Sequence, residues 1–578
     1  MHELKYIEIL KKNNELANNF SSLSYDVSIF SNISVNLIKE ILEYSLRFVN
    51  IPAKVNFGNF DNIIQESFKK RDDKVIIIFW EICNFIEGFQ YNCELMNDDE
   101  IEILINKIKS EINIVLTNLK STSLVLFNKF SAKLFSNNNL NLTNLELIAS
   151  KLNDYVDKLS FPNLKIVDID KAISAIGIKK SIDLRYFYLS KSLYSVDFFK
   201  EYVNSISPVI KAINGIVKKA IIFDCDNTLW KGILGEDGFD GIEMSKNTGS
   251  GKIFHEIQKI AISLAEQGVI IGLCSKNNIE DVTEIIEKHP DFLLKDEYLT
   301  IKKINWNDKV SNLKQISKEL NIGLDSLVFV DDSSFEINLI KEKLPSVSTI
   351  QVPEKLFEYP NLLRENLNLF YKFSLTKEDV EKNKMYKQQQ EREKLKEEYS
   401  NIDDYLKTLD IKLSVFIDEK DKISRISQMS QKTNQFNLTT KRYTENDISN
   451  FIENKNSFVF AISVSDKFGD YGVTGLSIIK IIDEDNKSAF IDTFLMSCRI
   501  IGRNIEYVFL NYIIEWLKNK HVTTINAEYI KTIKNEQVQE FYENCSFQIK
   551  ADNDKIKEYS LNLTDFKNKN IDYIHIKK

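Results

Sequence analysis

The stretch AIIFDCDNTLWKGILGEDG, residues 220–238, decides how the middle of this chain folds. Its first four residues are apolar, as in a strand buried on both faces, and Asp224 and Asp226 follow at the carboxyl end. Residues i and i+2 of a regular strand project to the same side, so we expect these two carboxylates to lie together. Neighbouring carboxylates repel each other unless a cation lies between them, and hard divalent ions prefer oxygen ligands. The segment therefore predicts a metal site at the end of a strand.

Three later segments between residues 218 and 353 supply the other parts of a phosphate site. GVIIGLCSK carries Ser275 near its end, whose hydroxyl can donate to a phosphoryl oxygen. Lys309, in NWNDKVSNLKQI, can neutralise developing negative charge. DSLVFVDD ends in Asp331 and Asp332, which add carboxylates for a metal. Ligands bind at the carboxyl ends of parallel strands, so the four segments together predict a centre for phosphoryl transfer.

Composition limits the remaining classes of protein. The chain has 578 residues, 43% hydrophobic and 28% charged, which predicts about three or four globular domains. A net charge of −8 argues against nucleic acid as a partner. The six cysteines are scattered without a CxxC pair, which favours a reducing compartment, and no run approaches eighteen apolar residues. We therefore expect a cytoplasmic protein that binds neither nucleic acid nor membrane.

The chain as a whole alternates strand and helix patterns, which predicts a multi-domain α/β fold with parallel sheets. The N-terminal strands are expected at 26–30, 53–57, 74–80, 123–127 and 164–168, with a long helix over 97–120. Residues 376–409 lack Gly and Pro and carry mixed charges, which predicts a solvent-exposed connector helix. The predicted domains are 1–210, 211–355, a helical connector over 356–410, and 411–578.

The order DCDNT, CSKN, a single lysine and VFVDD resembles the four motifs of the haloacid dehalogenase (HAD) superfamily. This resemblance implies a Rossmann-like core that uses Mg²⁺, with Asp224 as the nucleophile that forms an aspartyl-phosphate. Asp226 would be the general acid/base, and its main-chain carbonyl would also bind the metal. The resemblance further implies two sets of binding residues. The phosphate would be held by Thr228, Ser275 and Lys309, and the metal by Asp224, Asp226, Asp331 and Asp332.

The residues directly after DNT are similar to the signature of the FkbH-like (HAD-IIIC) subfamily, W-x-G-x-x-G-E-D-G. The matching residues are Trp230, Gly232, Gly235, Glu236, Asp237 and Gly238. The short separation between DCDNT and CSKN leaves no room for a large cap, so the site is expected to be open. The resemblance implies transfer of a glyceryl unit from 1,3-bisphosphoglycerate to the phosphopantetheine thiol of an acyl carrier protein. Two alternatives stay open: a phosphatase acting on a small phosphorylated metabolite, and a non-catalytic scaffold of a biosynthetic complex.

Cys225 lies between the two aspartates and could be a thioester-forming nucleophile. In a strand, however, its side chain should point opposite to those of Asp224 and Asp226, into the core. A small buried cysteine is common in protein cores. The pattern therefore favours a structural role for this thiol.

The flanking regions resemble two further families. The N-terminal region is similar to SGNH-hydrolase-like domains, with Ser31 and Asn32 at the position of the family's serine block, but no histidine lies between residues 3 and 254. A serine nucleophile needs a base, so we expect this domain to be non-catalytic. The C-terminal region resembles the GNAT acyltransferase fold. Arg499, Gly502 and Arg503 fall in a loop similar to its R-x-x-G-x-G/A acyl-CoA loop, although Asn504 replaces the final small residue.

Overall fold

The computed structural model describes residues 4–20, 24–86, 88–135, 141–373, 385, 388, 392, 395, 399, 401–483 and 487–577. The chain forms two compact units. Unit 1 comprises Met1–Ile216 and Tyr443–Asn450, and unit 2 comprises Val217–Arg442 and Phe451–Lys578. Most of the predicted connector helix over 376–409 lies outside the described residues. The predicted domain boundaries stay predictions, and the two regions expected to resemble HAD and GNAT domains fall within one unit.

Unit 1 is built on a five-stranded parallel sheet in the order β2-β1-β3-β4-β5. Its strands are β1 (Tyr25–Ser31), β2 (Ala53–Phe57), β3 (Val75–Phe79), β4 (Leu124–Asn128) and β5 (Leu164–Val167). Its helices are α1 (Tyr6–Ala17), α2 (Ile38–Arg47), α3 (Ile63–Ser67), α4 (Phe89–Asn92), α5 (Asp98–Asn118), α6 (Asn144–Val156), α7 (Ile169–Ile176), α8 (Ile178–Ser181), α9 (Leu184–Ser190) and α10 (Val196–Ile213). All five predicted strands and the long predicted helix are present.

The long helix α5 shows why these sequence patterns fold as expected. Asn97 caps its first turn, because the Asn97 side chain accepts from the Glu100 N–H at 3.0 Å and the Glu100 carboxylate accepts from the Asn97 N–H at 2.9 Å. Apolar side chains recur at helical spacing on its inner face and are buried. They pack against the core formed by β3 and β4. Local capping and a single apolar face are enough to fix this element.

Unit 2 contains a second five-stranded parallel sheet, in the order β10-β9-β6-β7-β8. Its strands are β6 (Ala220–Phe223), β7 (Ile270–Ser275), β8 (Leu299–Ile304), β9 (Leu327–Asp331) and β10 (Ser348–Gln351). Its helices are α11 (Leu234–Gly241), α12 (Gly251–Glu266), α13 (Ile279–Lys288), α14 (Lys309–Glu319), α15 (Ser334–Lys343) and α16 (Tyr359–Glu365). Alternate residues of β6 enter two separate apolar cores, Ile221 and Phe223 on one face and Ala220 and Ile222 on the other. The central strand is therefore covered on both faces.

The rest of unit 2 forms a nine-stranded mixed sheet in the order β17-β18-β16-β15-β14-β13-β11-β19, with β12 paired to β15. Its strands are β11 (Ile411–Ile417), β12 (Phe436–Asn437), β13 (Ser457–Asp466), β14 (Gly469–Asp483), β15 (Ser488–Met496), β16 (Thr524–Ile530), β17 (Gln548–Asp552), β18 (Ile556–Asn562) and β19 (Ile574–Lys577). Its helices are α17 (Ile402–Lys407), α18 (Ile423–Lys432), α19 (Glu445–Glu453), whose first six residues belong to unit 1, and α20 (Ile505–Asn519). The predicted multi-domain α/β fold is confirmed.

The neighbouring strands β15 and β16 pair in parallel only over their first residues, Ser488–Ile491 with Thr524–Ala527. Beyond that point β12 pairs with the far end of β15. The Leu438 N–H donates to the Phe494 carbonyl at 3.1 Å, and the Leu438 carbonyl accepts from the Ile530 N–H at 2.8 Å. Residues 436–438 therefore fill the gap between the two diverging strands.

No helix in the described part of the chain is long and apolar enough to cross a membrane.

Candidate active site

Lys309 lies between two buried aspartates at the carboxyl end of the parallel sheet of unit 2. Its Nζ is 3.1 Å from Asp224 Oδ1 and 2.6 Å from Asp331 Oδ2. Asp224 directly follows β6, Asp331 ends β9, and Lys309 begins α14. All three side chains are buried. The structure thus brings together three of the predicted site residues, from three separate segments.

Asp332 completes a cluster of three carboxylates with Asp224 and Asp331. One ligand oxygen of each lies within 4.8 Å of the others, and this is the one such group found among the described residues. One Asp331 oxygen, Oδ1, also accepts from the Ser333 N–H at 2.8 Å, which fixes the orientation of that carboxylate. Three carboxylates face one ammonium, so the cluster retains negative charge. This donor set fits a hard divalent cation such as Mg²⁺.

Burial changes the protonation of these groups. It raises the pKa of Asp224 to about 6, although the neighbouring Lys309 ammonium acts in the opposite direction. Burial also raises the pKa of Asp331 and of Asp332. Burial alone would lower the pKa of Lys309, but the Asp224 and Asp331 carboxylates outweigh it and raise that pKa. The lysine is therefore held as a cation next to carboxylates that ionise reluctantly.

The carboxylate of Asp226 is not part of this cluster. Because β6 ends at Phe223, both aspartates lie in the turn that follows the strand, and the i, i+2 geometry of a regular strand does not apply. Asp226 Oδ1 accepts from the Trp230 indole N–H at 2.9 Å and the Leu234 N–H at 3.0 Å. Its Oδ2 accepts from Asn277 Nδ2 at 2.9 Å. Its carboxylate is thus fixed by three donors. Metal binding through its main-chain carbonyl stays a prediction.

The two predicted hydroxyl groups lie on neighbouring segments of the site. Ser275 ends β7 and its Oγ accepts from Asn277 Nδ2 at 3.1 Å. Thr228 is fully buried, and its Oγ1 has no hydrogen-bond partner among the described atoms. A buried hydroxyl without a partner is costly unless a ligand completes its hydrogen bonds. This atom therefore supports a polar ligand in the site.

The turn after β6 depends on two residues with unusual backbone conformations. Asn227 has a φ of 50° and its Oδ1 accepts from the Gly232 N–H at 3.0 Å. Gly232 has a φ of 104°, and a Cβ there would lie 2.7 Å from Asp237 Oδ2. The Asp237 carboxylate also accepts from the Ile233 N–H at 2.8 Å. The W-x-G-x-x-G-E-D motif thus shapes the loop that holds the Asp226 carboxylate.

The Cys225 thiol is packed in an apolar core beside the turn that carries Asp224 and Asp226. It is fully buried in the apolar cluster that contains Phe223, Leu229 and Trp230. Burial, with a contribution from the nearby Asp224 carboxylate, raises the pKa of this thiol well above its usual value. A thiol in these surroundings is a poor nucleophile, since the thiolate is the reactive form. The geometry favours the structural role.

The possible acyl-CoA loop lies apart from the carboxylate cluster, between β15 and α20. Arg503 is buried, forms an ion pair with Asp466 at 3.5 Å and donates to the Arg499 carbonyl at 3.0 Å. Gly502 has a φ of 79°, in the left-handed region, and Asn504 also lies in that region with a φ of 64°. Arg499 Nε donates to Ser497 Oγ at 3.4 Å. The Arg503 guanidinium is thus engaged within the protein, and acyl-CoA binding stays a prediction.

The predicted serine block of unit 1 is held by main-chain groups. Ser31 Oγ donates to the Ile33 carbonyl at 2.9 Å. Asn32 exchanges two hydrogen bonds with the main chain of Glu81, at 2.8 and 2.6 Å. Both residues therefore fix the loops that follow β1 and β3. This arrangement is in keeping with a structural role.

Sequence reasoning missed the role of Asn277, which joins Asp226 to Ser275 through one amide. Its position two residues after Ser275, in the CSKN motif, was the available signal. It also missed the ion pair between Lys276 and Glu336, at 2.7 Å, which links the loop after β7 to the first turn of α15. Trp230 was noted only as part of a motif, although its indole binds Asp226.

Comparison with known proteins gives a likeness in structure only. No protein-family model matches this sequence, and no curated protein is significantly similar to it. The structure is similar to the N-terminal part of the protein BF1531 from Bacteroides fragilis, which contains a phosphatase domain and was crystallised with Mg. The identity is 24%, the match covers 64% of this chain and 100% of that chain, and the TM-score is 0.56. Mutant forms of the spermidine/spermine N-acetyltransferase SpeG from Vibrio cholerae match 26% of this chain and 94% of theirs, at 14% identity and a TM-score of 0.22. The first likeness indicates a shared fold.

Proposed function

We propose that this chain is a Mg²⁺-dependent enzyme of the HAD type that transfers the phosphoryl group of a small substrate to Asp224. The observation that carries this proposal is the position of Lys309 between Asp224 and Asp331, within a cluster of three carboxylates. A cation beside a buried carboxylate nucleophile, with oxygen ligands for a second cation, is what phosphoryl transfer requires. The likeness to a phosphatase domain crystallised with Mg supports the same chemistry.

The side chains have separate roles in this proposal. An Asp224 oxygen attacks phosphorus, the bond from phosphorus to the leaving oxygen breaks, and a proton reaches that oxygen from Asp226. Thr228 Oγ1 and Ser275 Oγ donate to the phosphoryl oxygens, and Lys309 balances their charge. Asp224, Asp331 and Asp332 would hold Mg²⁺, which would neutralise the phosphoryl group when bound. Water then attacks the phosphorus of the aspartyl-phosphate, the bond from phosphorus to the Asp224 oxygen breaks, and Asp226 takes up the proton of the water.

The finer proposal is transfer of a glyceryl unit from 1,3-bisphosphoglycerate to an acyl carrier protein, as the FkbH-like resemblance implies. The pantetheine thiolate would attack the acyl carbon, the bond from that carbon to the phosphate oxygen would break, and phosphate would leave. Asp224 would remove the second phosphate, the ester at the other end of the unit. The short connection between β6 and β7, with α11 and α12, supports an open site that a carrier protein can approach. In this proposal the N-terminal SGNH-like domain is non-catalytic.

The second candidate is a phosphatase of a small phosphorylated metabolite, which uses the same residues with water as the only acceptor. The observation that favours it is the likeness in fold to a phosphatase domain. A scaffold, the third alternative, has no need for three clustered carboxylates, because buried like charges destabilise a fold without a cation.

One experiment separates these functions. The protein is incubated with Mg²⁺, 1,3-bisphosphoglycerate and a holo carrier protein, and intact masses and free phosphate are measured. A glyceryl adduct on the carrier supports the transferase, and phosphate release without an adduct supports the phosphatase. The absence of both products would indicate a scaffold. Asp224→Asn should lower the release of the ester phosphate by roughly 10³-fold or more, because the nucleophile is lost. In the transferase, the adduct on the carrier would then retain that phosphate. The matched control is Asp240→Asn, at an exposed aspartate of the same region, which should retain activity.

A further inference from the structure

The exposed large hydrophobic side chains of residues 217–373, all of which the structure describes, lie at one edge of the parallel sheet of unit 2. They are Ile233 after β6, Ile279 after β7, Trp306 after β8, Phe335 after β9 and Phe357 after β10. Exposed apolar residues scattered singly over a surface are normal and need no explanation. These five are not scattered, because each follows a strand at the edge that carries the carboxylate cluster. Their placement indicates a contact surface beside the site.

Three of these side chains belong to segments that are joined to one another. Trp306 Nε1 donates to Asn278 Oδ1 at 3.2 Å, which ties the connection after β8 to the loop after β7. Lys276 of the same loop forms an ion pair with Glu336 at 2.7 Å, in the first turn of α15. Each of these contacts involves or adjoins one of the exposed apolar residues. We call the three residues concerned the apolar lip: Ile279, Trp306 and Phe335.

The apolar lip is carried by the same segments that hold the candidate site. Asn277, between the two lip contacts of its loop, donates to Asp226 Oδ2 at 2.9 Å and to Ser275 Oγ at 3.1 Å. Trp306 lies three residues before Lys309, in the connection between β8 and α14. A ligand that reacts at the carboxylate cluster therefore has the lip within its reach.

The lip presents more apolar surface than a small phosphorylated metabolite can use. Trp306 is 71% exposed and Phe335 is 69% exposed. An aromatic side chain carries about 150–250 Å² of surface, so these two rings together expose roughly 200–350 Å². A three-carbon phosphate such as 1,3-bisphosphoglycerate is a polyanion without an apolar part to cover them. The lip therefore fits the other reactant of the proposed transfer, the acceptor.

We propose that the apolar lip binds the pantetheine arm of the acceptor and so selects a thiol acceptor for this site. This inference rests on the proposed transfer to a carrier protein. Between its thiol and its phosphodiester the arm is uncharged, and it carries methyl and methylene groups that can cover the two rings. Because it is uncharged there, the exposed acidic side chains beside the lip do not repel it. Those side chains are Glu280, Asp281 and Asp308.

Trp306 is a natural reporter of the lip. The chain has four tryptophans, all described by the structure, and Trp306 is the most exposed. Trp80 and Trp230 are 7% and 0% exposed, and Trp516 is partly buried. Acrylamide quenches indole fluorescence by direct contact, so it acts mainly on Trp306. Trp306→Phe should remove most of the quenchable signal, which identifies the reporter.

The test measures acrylamide quenching of the full-length protein in EDTA, with pantetheine as the probe. At a probe concentration about ten times Kd, quenching of Trp306 should fall roughly tenfold, because only the free fraction is accessible. The polar control, 3-phosphoglycerate, should have no effect. Asp224→Asn should show the same protection as the wild type, so a failure of the proposed reaction would leave this result unchanged. Protection by hexyl phosphate but not by pantetheine would assign the lip to an apolar phosphate substrate and overturn the proposal.

A matched pair of variants tests whether the lip itself is the binding surface. Phe335→Ser keeps the reporter and should raise the Kd of pantetheine roughly fivefold or more. Phe357→Ser, at a phenylalanine that is 72% exposed but outside the lip, should keep the wild-type Kd. In the transfer assay Phe335→Ser should raise KM for the holo carrier and leave kcat unchanged. Circular dichroism checks that each variant is folded. Equal Kd values for the two variants, or no protection of the wild type at millimolar pantetheine, would overturn the proposal.

Discussion

Replacing Lys309 by methionine removes the one ammonium seen among the three clustered carboxylates of the described site, at nearly constant side-chain length. In the native protein its Nζ contacts Asp224 at 3.1 Å and Asp331 at 2.6 Å, and the lysine is 4% exposed. Without it, the two buried carboxylates face each other and Asp332 with no internal counter-charge. We expect Lys309→Met to destabilise the surrounding domain when no divalent ion is present.

The magnitude follows from the burial of the partners. Breaking a buried ion pair by removing one member costs about 3–5 kcal/mol, because the remaining charge is left uncompensated. The Asp224 carboxyl can escape part of that cost by taking up a proton, since its pKa already lies at about 6. The expected loss at pH 8 is therefore in this range or below it. It should become smaller as the pH is lowered towards 6, because removal of the ammonium raises the pKa of Asp224 further.

Two buried thiols report on this domain alone. Cys225 lies in the turn after β6 and Cys274 lies in β7, and both are 0% exposed. Their alkylation in increasing urea, read by peptide mass spectrometry, gives the free energy of opening of this sheet without interference from the rest of the chain. The assay is performed in EDTA and repeated with Mg²⁺, which should restore part of the loss in the variant.

The matched control is Lys314→Met, at an exposed lysine of the same helix, α14. That change removes the same charge without uncovering a buried carboxylate, so its effect should stay within about 0.5 kcal/mol. If Lys309→Met and the control opened at the same urea concentration, Lys309 would not be the counter-charge of the cluster, and the electrostatic argument would be wrong.

Three further predictions concern other parts of the molecule. Burial raises the pKa of Glu81 to about 7, despite the Tyr194 hydroxyl that donates to it at 2.7 Å. Since the folded state then binds more protons than the unfolded state, the free energy of unfolding should fall by about 3 kcal/mol from pH 5 to pH 8. Glu81→Gln should remove this pH dependence in urea titrations. Cys225→Ala should cost about 1–2 kcal/mol by creating a small void, yet retain phosphate release, whereas a large loss of turnover in a folded variant would indicate a nucleophilic thiol. Asn535 donates to the Asn437 and Ile530 carbonyls at 2.9 Å. Asn535→Ala should therefore lower the free energy of unfolding by roughly 1–3 kcal/mol and speed hydrogen exchange at the Leu438 amide. Unchanged exchange would show that this side chain does not hold β12.

The sequence predicts the buried strands well, because a strand covered on both faces is an unbroken apolar run. β3 and β6 are examples, and both lie within a residue or two of their expected positions. β8 was not expected. Its sequence, LTIKKI, carries Lys302 and Lys303, which lie at the edge of the sheet and are partly exposed. An edge strand needs only part of its surface to be apolar, so its pattern resembles that of a loop.

In the candidate site, too, some features could be predicted from the sequence and others could not. Asp224 and Asp331 could be expected to meet, since they lie at the carboxyl ends of two predicted strands of one parallel sheet. Lys309 follows β8, which was not predicted, so only the resemblance in motif order placed it in the site. The direction of the Asp226 carboxylate could not be predicted, because it depends on where β6 stops and on donors from Trp230 and Asn277. The two-residue strand β12 has no periodicity of its own. Its pairing with β15 exists only because β15 and β16 diverge in the folded protein.

The large mixed sheet of unit 2 ends in β17 on one side and β19 on the other, and each outermost strand carries a partly exposed isoleucine next to a lysine. The pairs are Ile549 with Lys550 and Ile576 with Lys577. An open strand edge with apolar side chains invites a second copy of the chain to add to it and start a fibre. An ammonium beside each isoleucine would have to lose its water in such a contact. Lysines in these positions disfavour edge-to-edge association of folded molecules.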